Sequence, residues 1–274
     1  MNMPNERQTI EKEASRRTVR RKPAATGALS QAAYPPATIS EHKGIRYLHL
    51  GTEWEQGAMR VRTPDAIETE YVQQMMMWML FKDQPQHIVQ LGLGSAALTK
   101  FCYRQFPQTR VTAIELNPAV IAMCGAMFAL PPNDARLNVT RMDAMAFVTE
   151  RANHGTVDVL QVDLYDDEAR GPVFDTPEFY QACADCLTPD GMMTVNLFGE
   201  ESIYYKNLQT MQQVFDAVVW LPEVHAANVV VIAFKSAPEL DFSTLDERAA
   251  LIRKKMKLPA PTWVDGLREW MLEQ

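Results

Sequence analysis

The sequence predicts an α/β fold in which a mostly parallel, twisted sheet is flanked by helices. Three observations carry this prediction. From residue 86 onwards, short apolar runs alternate with helix-like segments. A glycine-containing turn follows the first of these runs, and an acidic residue ends the next one. Strands separated by helical segments need right-handed crossovers, which place successive strands parallel in one sheet.

Two segments precede the predicted sheet. Residues 1–40 include a basic run at 16–22 and few apolar residues, so we expect a mobile basic tail. Residues 41–84 are predicted to form a small N-terminal β/α region, in which strand-like runs at 45–50 and 58–62 indicate a β-hairpin.

A helix is expected to close this N-terminal region. Asp65 is its predicted N-cap, and the helix is expected to run through Tyr71 and Leu80. The Met-rich segment 75–79 within it is either part of the core or a contact surface between subunits. We expect the assembly to be a homodimer, with this segment and the hairpin as candidate contacts.

Residues 85–240 are predicted to form the main, nucleoside-binding domain. Its strand-like runs are 87–91, 110–114, 137–140, 157–162, 191–197 and 228–234. Helix-like segments lie between these runs, which is typical of a parallel sheet with crossover helices. Residues 241–274 are predicted to add C-terminal helices, the first over 246–257 and the second over 263–271.

Composition disfavours several classes of protein. The chain has 274 residues, of which 47% are hydrophobic and 22% charged, and its formal net charge is −7. These values are typical of a globular protein and argue against nucleic acid as the main partner. No apolar run reaches the roughly 20 residues that a membrane span needs. We therefore expect a cytoplasmic protein that binds neither nucleic acid nor membrane.

Neither the cysteines nor the histidines show the spacing of a metal site. Cys183 and Cys186 form a C-x-x-C on a helical stretch, but no second pair of ligands lies near them in the sequence. We therefore predict packed, reduced thiols and no disulfide framework. His87, His154 and His225 are scattered along the chain, so no metal is predicted.

The clearest functional signal is the turn after the strand-like run 87–91. Gly92 and Gly94 have no Cβ, so the backbone at this turn can pass close to a ligand. Glu115 ends the next run, where its carboxylate can accept hydrogen bonds from two ribose hydroxyls. This combination predicts a Rossmann-like sheet that binds a nucleoside or nucleotide.

Acidic residues also follow the third and fourth runs. Asp143 and Ala144 come after the third run, where Asp143 is placed to meet an adenine amino group. Asp163 and Asp166 open an acidic loop after the fourth run. Because ligands of open α/β sheets bind at the carboxyl ends of the strands, these side chains are expected to share one site with the glycine turn.

These residues resemble the spermidine synthase family, the polyamine aminopropyltransferases. The resemblance is clear from about residue 86 to 200 and strongest in the acidic loop. Its motifs are Asp163-Leu164-Tyr165-Asp166, Gly171-Pro172, Phe174 and Glu178-Phe179-Tyr180. The resemblance implies the fold of the class I S-adenosylmethionine methyltransferases.

The resemblance also implies an activity and a role for each matching residue. An aminopropyl group would pass from decarboxylated S-adenosylmethionine, the co-substrate, to a small amine or polyamine. Asp163 would act as the base, and Asp166 would hold a charged amine of the acceptor. Tyr71 and Tyr165 would line the acceptor pocket. The nucleoside would be bound by Gly92, Gly94, Ser95, Glu115, Asp143 and Ala144.

The glycine turn departs from the family pattern G-G-G-D-G. Ser95 replaces the aspartate that, by the resemblance, would bind the amine of the donor, while Leu93 and Ala96 replace two glycines. Two alternatives therefore stay open. One is a methyltransferase that uses S-adenosylmethionine itself. The other is a catalytically silent relative that only binds a nucleoside.

Overall fold

The structure is a computed structural model that describes residues 34–165, 174–199, 201–222 and 228–272. It confirms the predicted α/β fold, with a large, mostly parallel sheet between layers of helices and a small antiparallel sheet at the N-terminal side of the chain.

The small sheet has three antiparallel strands rather than the two predicted. They are β1 (Ala37–His42), β2 (Ile45–Leu50) and β3 (Gly57–Arg60). β1 was missed because it is short, largely exposed and polar, and its pairing with β2 defines it. Residues 37–40 therefore belong to a strand, although they lie in the segment predicted to be a tail.

Helix α1 (Glu70–Gln74) is shorter than predicted and begins later. Thr69, not Asp65, is its N-cap residue, so the prediction of an Asp65 cap is wrong. The side chain of Asp65 instead faces Arg104 at 3.6 Å. Ile67 is buried and the neighbouring Glu68 pairs with Arg60, which holds the chain outside a helix until Thr69.

The Met-rich segment belongs to the core of the chain. Met75, Met76 and Met77 are fully buried, and Met79 is 4% exposed. All four belong to one apolar cluster with Trp78, and Met77 and Met79 lie in a 3-10 turn (Met77–Leu80). The hypothesis that these methionines contact another subunit is therefore wrong, and ordinary core packing is correct.

The large sheet has seven strands. They are β4 (His87–Leu91), β5 (Arg110–Glu115), β6 (Leu137–Arg141), β7 (Val157–Val162), β8 (Leu187–Phe198), β9 (Ala217–Trp220) and β10 (Asn228–Phe234). Their order is β6-β5-β4-β7-β8-β10-β9, in which only β10 runs antiparallel to its neighbours. The strand predicted over 191–197 begins already at Leu187, and β9 was not predicted.

Seven further helices accompany this sheet in the described part of the chain. They are α2 (Ala97–Gln105), α3 (Pro118–Met127), α4 (Ala144–Thr149), α5 (Pro177–Cys186), α6 (Glu201–Gln212), α7 (Phe242–Met256) and α8 (Ala260–Leu272). The sheet is buried on both faces, because neighbouring residues of β4 such as Ile88 and Val89 belong to different apolar clusters. Within the described ranges, no helix has the length and apolarity to cross a membrane.

The C-x-x-C pair lies on α5, inside the core. Cys183 and Cys186 are both fully buried and unbonded to each other. Burial raises the pKa of Cys186 to about 11, which keeps its thiol protonated near neutral pH. The prediction of packed, reduced thiols is confirmed.

Candidate active site

A cavity of about 590 Å³ opens at the carboxyl ends of the parallel strands. Residues that follow or end β4, β5, β6, β7 and β8 all contribute to its wall, as does the loop between β2 and β3. A volume of this size suits a small-molecule ligand. Of the predicted site residues, the cavity brings together Tyr71, Gly92, Gly94, Glu115, Asp143, Ala144, Asp163 and Tyr165.

The glycine turn joins the ends of three strands. Gly92 adopts a φ of +93°, and its N–H donates to the carbonyl oxygen of Ile114 at 2.9 Å. A Cβ on Gly92 would lie 2.1 Å from the carbonyl oxygen of Asp163. Only glycine therefore fits where the end of β4 approaches the chain that leaves β7.

Glu115 is held facing the cavity by backbone donors. Its Oε2 accepts the N–H of Leu93 at 3.1 Å, and its Oε1 accepts the N–H of Asn117 at 2.8 Å. Burial raises the pKa of Glu115, and these backbone hydrogen bonds oppose that rise. The backbone N–H of Leu116 also donates to this carboxylate. A carboxylate offers roughly four acceptor sites, so acceptor capacity remains for a ligand hydroxyl beyond these backbone donors.

Asp143 is oriented by the helix that follows it. Its Oδ1 accepts the N–H of Ala146 at 2.9 Å and so caps α4. Asp143 and Ala144 both line the cavity, together with the apolar side chains of Ile114 and Leu116. This part of the wall combines apolar side chains with one carboxylate acceptor.

Asp163 lies at the centre of a small polar network. Its Oδ1 accepts Nδ2 of Asn196 at 3.0 Å, and the carboxylate also accepts the hydroxyl of Tyr71. Burial raises the pKa of Asp163 to about 6, although these two hydrogen bonds act in the opposite direction. Tyr165 donates its hydroxyl to the backbone carbonyl of Asn196 at 3.0 Å. Tyr71 therefore contacts the carboxylate of Asp163 directly, and Tyr165 joins the same network through the backbone of Asn196.

The remaining predicted residues have different positions. Asp166, with the Gly171-Pro172 motif, lies outside the described residues. Ser95 is only 3% exposed and does not line the large cavity, because its hydroxyl donates to the carbonyl of Ala58 in β3 at 3.1 Å. Ala96 follows with a φ of +58°, a conformation that favours glycine.

Sequence reasoning missed several residues of the cavity wall. They are chiefly Glu53, Glu55 and Gln56 on the β2–β3 loop, Glu70 at the start of α1 and Asn196 near the end of β8. Asn196 had a usable signal, because it approaches the carboxyl end of the strand next to β7. The loop residues had none, since only the folded small sheet brings them to the cavity.

The wall of the cavity is strongly acidic. Six carboxylate side chains line it, and they are Glu53, Glu55, Glu70, Glu115, Asp143 and Asp163. No lysine or arginine contributes to the wall among the residues that the structure describes. A cationic ligand is therefore favoured, and a carboxylate-bearing ligand is disfavoured.

Comparison with known proteins gives a consistent result. A family profile described as "Spermine/spermidine synthase domain" matches residues 68–244. The polyamine aminopropyltransferase of Neisseria meningitidis serogroup A is 32% identical over 242 residues, which are 87% of this chain and 91% of that protein.

Solved structures share the fold at lower identity. A probable spermidine synthase from Corynebacterium glutamicum superposes with a TM-score of 0.67 at 18% identity, covering 84% of this chain and 91% of that one. Human methyltransferase-like protein 13, solved in complex with SAH, gives a TM-score of 0.62 at 22% identity, with 69% and 93% coverage.

Proposed function

The chain belongs to the spermine/spermidine synthase family, and from this premise we propose that it transfers an aminopropyl group from decarboxylated S-adenosylmethionine to a small primary amine. The observation that carries the proposal is the acidic cavity, which is lined both by Asp163 and by the residues predicted to bind a nucleoside. Glu115 would hold the ribose, and Asp143 with Ala144 the adenine, while Gly92 and Gly94 let the backbone approach the ligand.

The reaction needs a base more than it needs an acid. The amine nitrogen attacks the carbon beside the sulfonium, a C–N bond forms, and the C–S bond breaks with its electron pair going to sulfur. The leaving group is methylthioadenosine, a neutral thioether, so nothing has to protonate it. The attacking nitrogen has to lose a proton, and on this proposal Asp163 accepts it.

The charge of the cavity supports the decarboxylated donor. S-adenosylmethionine carries a carboxylate that would enter a wall with six acidic side chains and, in the described chain, no cation. Decarboxylated S-adenosylmethionine carries only positive charges. This difference disfavours the methyltransferase alternative. The human methyltransferase shares the fold of this chain, so the fold does not distinguish the two activities. On this proposal, Ser95 does not bind the donor. Its hydroxyl instead holds the glycine turn against β3 through the carbonyl of Ala58.

The decisive experiment is a product assay. Purified protein is incubated with decarboxylated S-adenosylmethionine or S-adenosylmethionine and a panel of diamines. Methylthioadenosine that appears only when a diamine is present supports the proposal. Adenosylhomocysteine from S-adenosylmethionine would establish the methyltransferase alternative. Absence of both products would favour the remaining alternative, a catalytically silent relative that only binds a nucleoside.

Three further expectations stay predictions: a homodimer, a role for Asp166 and a cytoplasmic location.

Glu115→Ala is expected to abolish nucleoside binding. The change removes both acceptors for the ribose and also leaves the N–H groups of Leu93 and Asn117 without their carboxylate partner. Calorimetric titration with methylthioadenosine measures the effect, and circular dichroism checks that the variant is folded. Glu178→Ala, an exposed change on α5 outside the cavity, is the matched control. Unchanged affinity in the Glu115 variant would rule out the ribose role.

The rate is expected to fall at acidic pH with a midpoint set by Asp163. Because the pKa of Asp163 is raised to about 6, its carboxylate is protonated below that pH and cannot accept the proton of the amine. kcat/KM should then drop about tenfold per pH unit. Tyr71→Phe removes a hydrogen bond that lowers this pKa, so the midpoint should move to higher pH.

Full pH profiles of the wild type and the Tyr71→Phe variant test this prediction. Tyr205→Phe is the control, since Tyr205 is exposed on α6 and absent from the cavity wall. If the acid limb of the Tyr71→Phe profile stays at the wild-type pH, Tyr71 does not influence the pKa of the base, and the prediction is wrong.

A further inference from the structure

Asn196 lies beside Asp163, and only one of the two polar atoms of its side-chain amide is hydrogen-bonded within the described residues. It is 1% exposed and pairs with Val230 of β10 near the end of β8. Its Nδ2 donates to Oδ1 of Asp163 at 3.0 Å. Its Oδ1 is buried and has no hydrogen-bond partner among the residues that the structure describes. The residue also lines the large cavity.

The unpartnered Oδ1 of Asn196 can accept a hydrogen bond from an N–H group of a ligand. A buried acceptor without a donor is unfavourable, so a group that supplies one there gains its full hydrogen bond. The amide cannot simply turn over, because Asp163 needs the donor that Nδ2 provides. Thr194 offers a contrast on the same strand and face. Its hydroxyl is also buried without a partner, yet Thr194 does not line the cavity.

We propose that Oδ1 of Asn196 accepts an N–H of the attacking amine, so that Asp163 and Asn196 together aim its lone pair. This inference rests on the proposed function. A primary ammonium has three N–H groups, and after Asp163 takes one proton, two N–H groups and the lone pair remain. Holding one of these N–H groups on Asn196 fixes rotation about the C–N bond of the amine. The lone pair then points in a defined direction at the carbon beside the sulfonium.

Asn196 also stabilises the charged form of Asp163, so the test has to separate the two effects. Asn196→Leu removes both the donor and the acceptor. An effect through Asp163 alone would move the acid limb of kcat/KM to higher pH and vanish at pH 9. Loss of a contact to the amine lowers kcat/KM for the amine even at pH 9, by roughly 10- to 100-fold.

Asn196→Asp is the second variant. It keeps an acceptor oxygen but places two carboxylates side by side, and such a pair retains a proton to higher pH. Its acid limb should move up, and the rate should recover at pH 9 to within roughly tenfold of the wild type. Thr194→Val, the matched control, removes the other unpartnered group and should leave the whole profile unchanged.

Affinity for methylthioadenosine shows whether each variant keeps the nucleoside half of the site. If Asn196→Leu loses that affinity, the smaller Asn196→Ala, which also removes the donor and the acceptor, replaces it in the same comparison. A persistent defect at pH 9 supports the role of Oδ1, and full recovery of Asn196→Leu at pH 9 overturns it. The proposed function fails separately, and this inference with it, if the wild type releases no methylthioadenosine with any amine.

Discussion

Asp163→Asn is expected to lower kcat by roughly 10²- to 10⁴-fold, the usual contribution of a general base. Asparagine has nearly the shape of aspartate, but its amide does not accept a proton at neutral pH. The nucleoside contacts come from other residues, so affinity for methylthioadenosine should stay close to that of the wild type. The comparison therefore isolates the proton-transfer step.

Single-turnover rates and calorimetry on the same preparation measure these two quantities. Asp216→Asn provides the control, because Asp216 is exposed and outside the cavity. If the Asp163 variant turned over at the wild-type rate, the base would have to be sought elsewhere. A parallel loss of nucleoside affinity would mean that the substitution disturbs the glycine turn.

Gly92→Ala is expected to damage both stability and binding. The added Cβ would meet the carbonyl oxygen of Asp163 at 2.1 Å, which is backbone and has little room to move. Alanine would also have to adopt a φ of +93°. The strain and overpacking together should reduce the free energy of unfolding by about 2 to 6 kcal/mol. Nucleoside affinity should fall with it, because the turn and the Asp163 backbone form adjacent walls of the cavity.

Gly125→Ala is the matched control for this substitution. Gly125 is exposed within α3, and a Cβ added there would have no neighbour within 4 Å. That change should instead stabilise the protein by about 0.5 to 1 kcal/mol, because alanine is the better helix former. Thermal melting of both variants gives the comparison. Equal melting temperatures would contradict the close approach of β4 and β7.

The two central strands of the sheet, β4 and β7, were predictable because they are buried on both faces. The strand-like runs at 87–91 and 157–162 coincide with β4 and β7, whose residues are all buried. β1 lacks such a run, and only its pairing with β2 makes it a strand. The Asp65 cap failed for a similar reason, since the burial of Ile67 overrides local capping preference.

The site was predictable where it depends on strand ends. Gly92, Glu115, Asp143 and Asp163 follow or end successive strands, and their meeting follows from the sheet alone. The hydrogen bonds of Asp163 with Tyr71 and Asn196 join residues distant in the sequence, so no local pattern predicts them. The hydroxyl of Ser95 likewise finds its partner in β3, far from the glycine turn.

The contact between Ser95 and the small sheet limits which side chain fits at position 95. A Cβ on Gly57 would lie 2.7 Å from Oγ of Ser95, so these two segments of the chain are already in contact. An aspartate at position 95 would need more room and would bring a negative charge against the carbonyl of Ala58, which now accepts a hydrogen bond. An aspartate at position 95 would therefore need a compensating change in β3. The side chain that position 95 can hold thus depends on a segment that lies almost forty residues earlier in the chain.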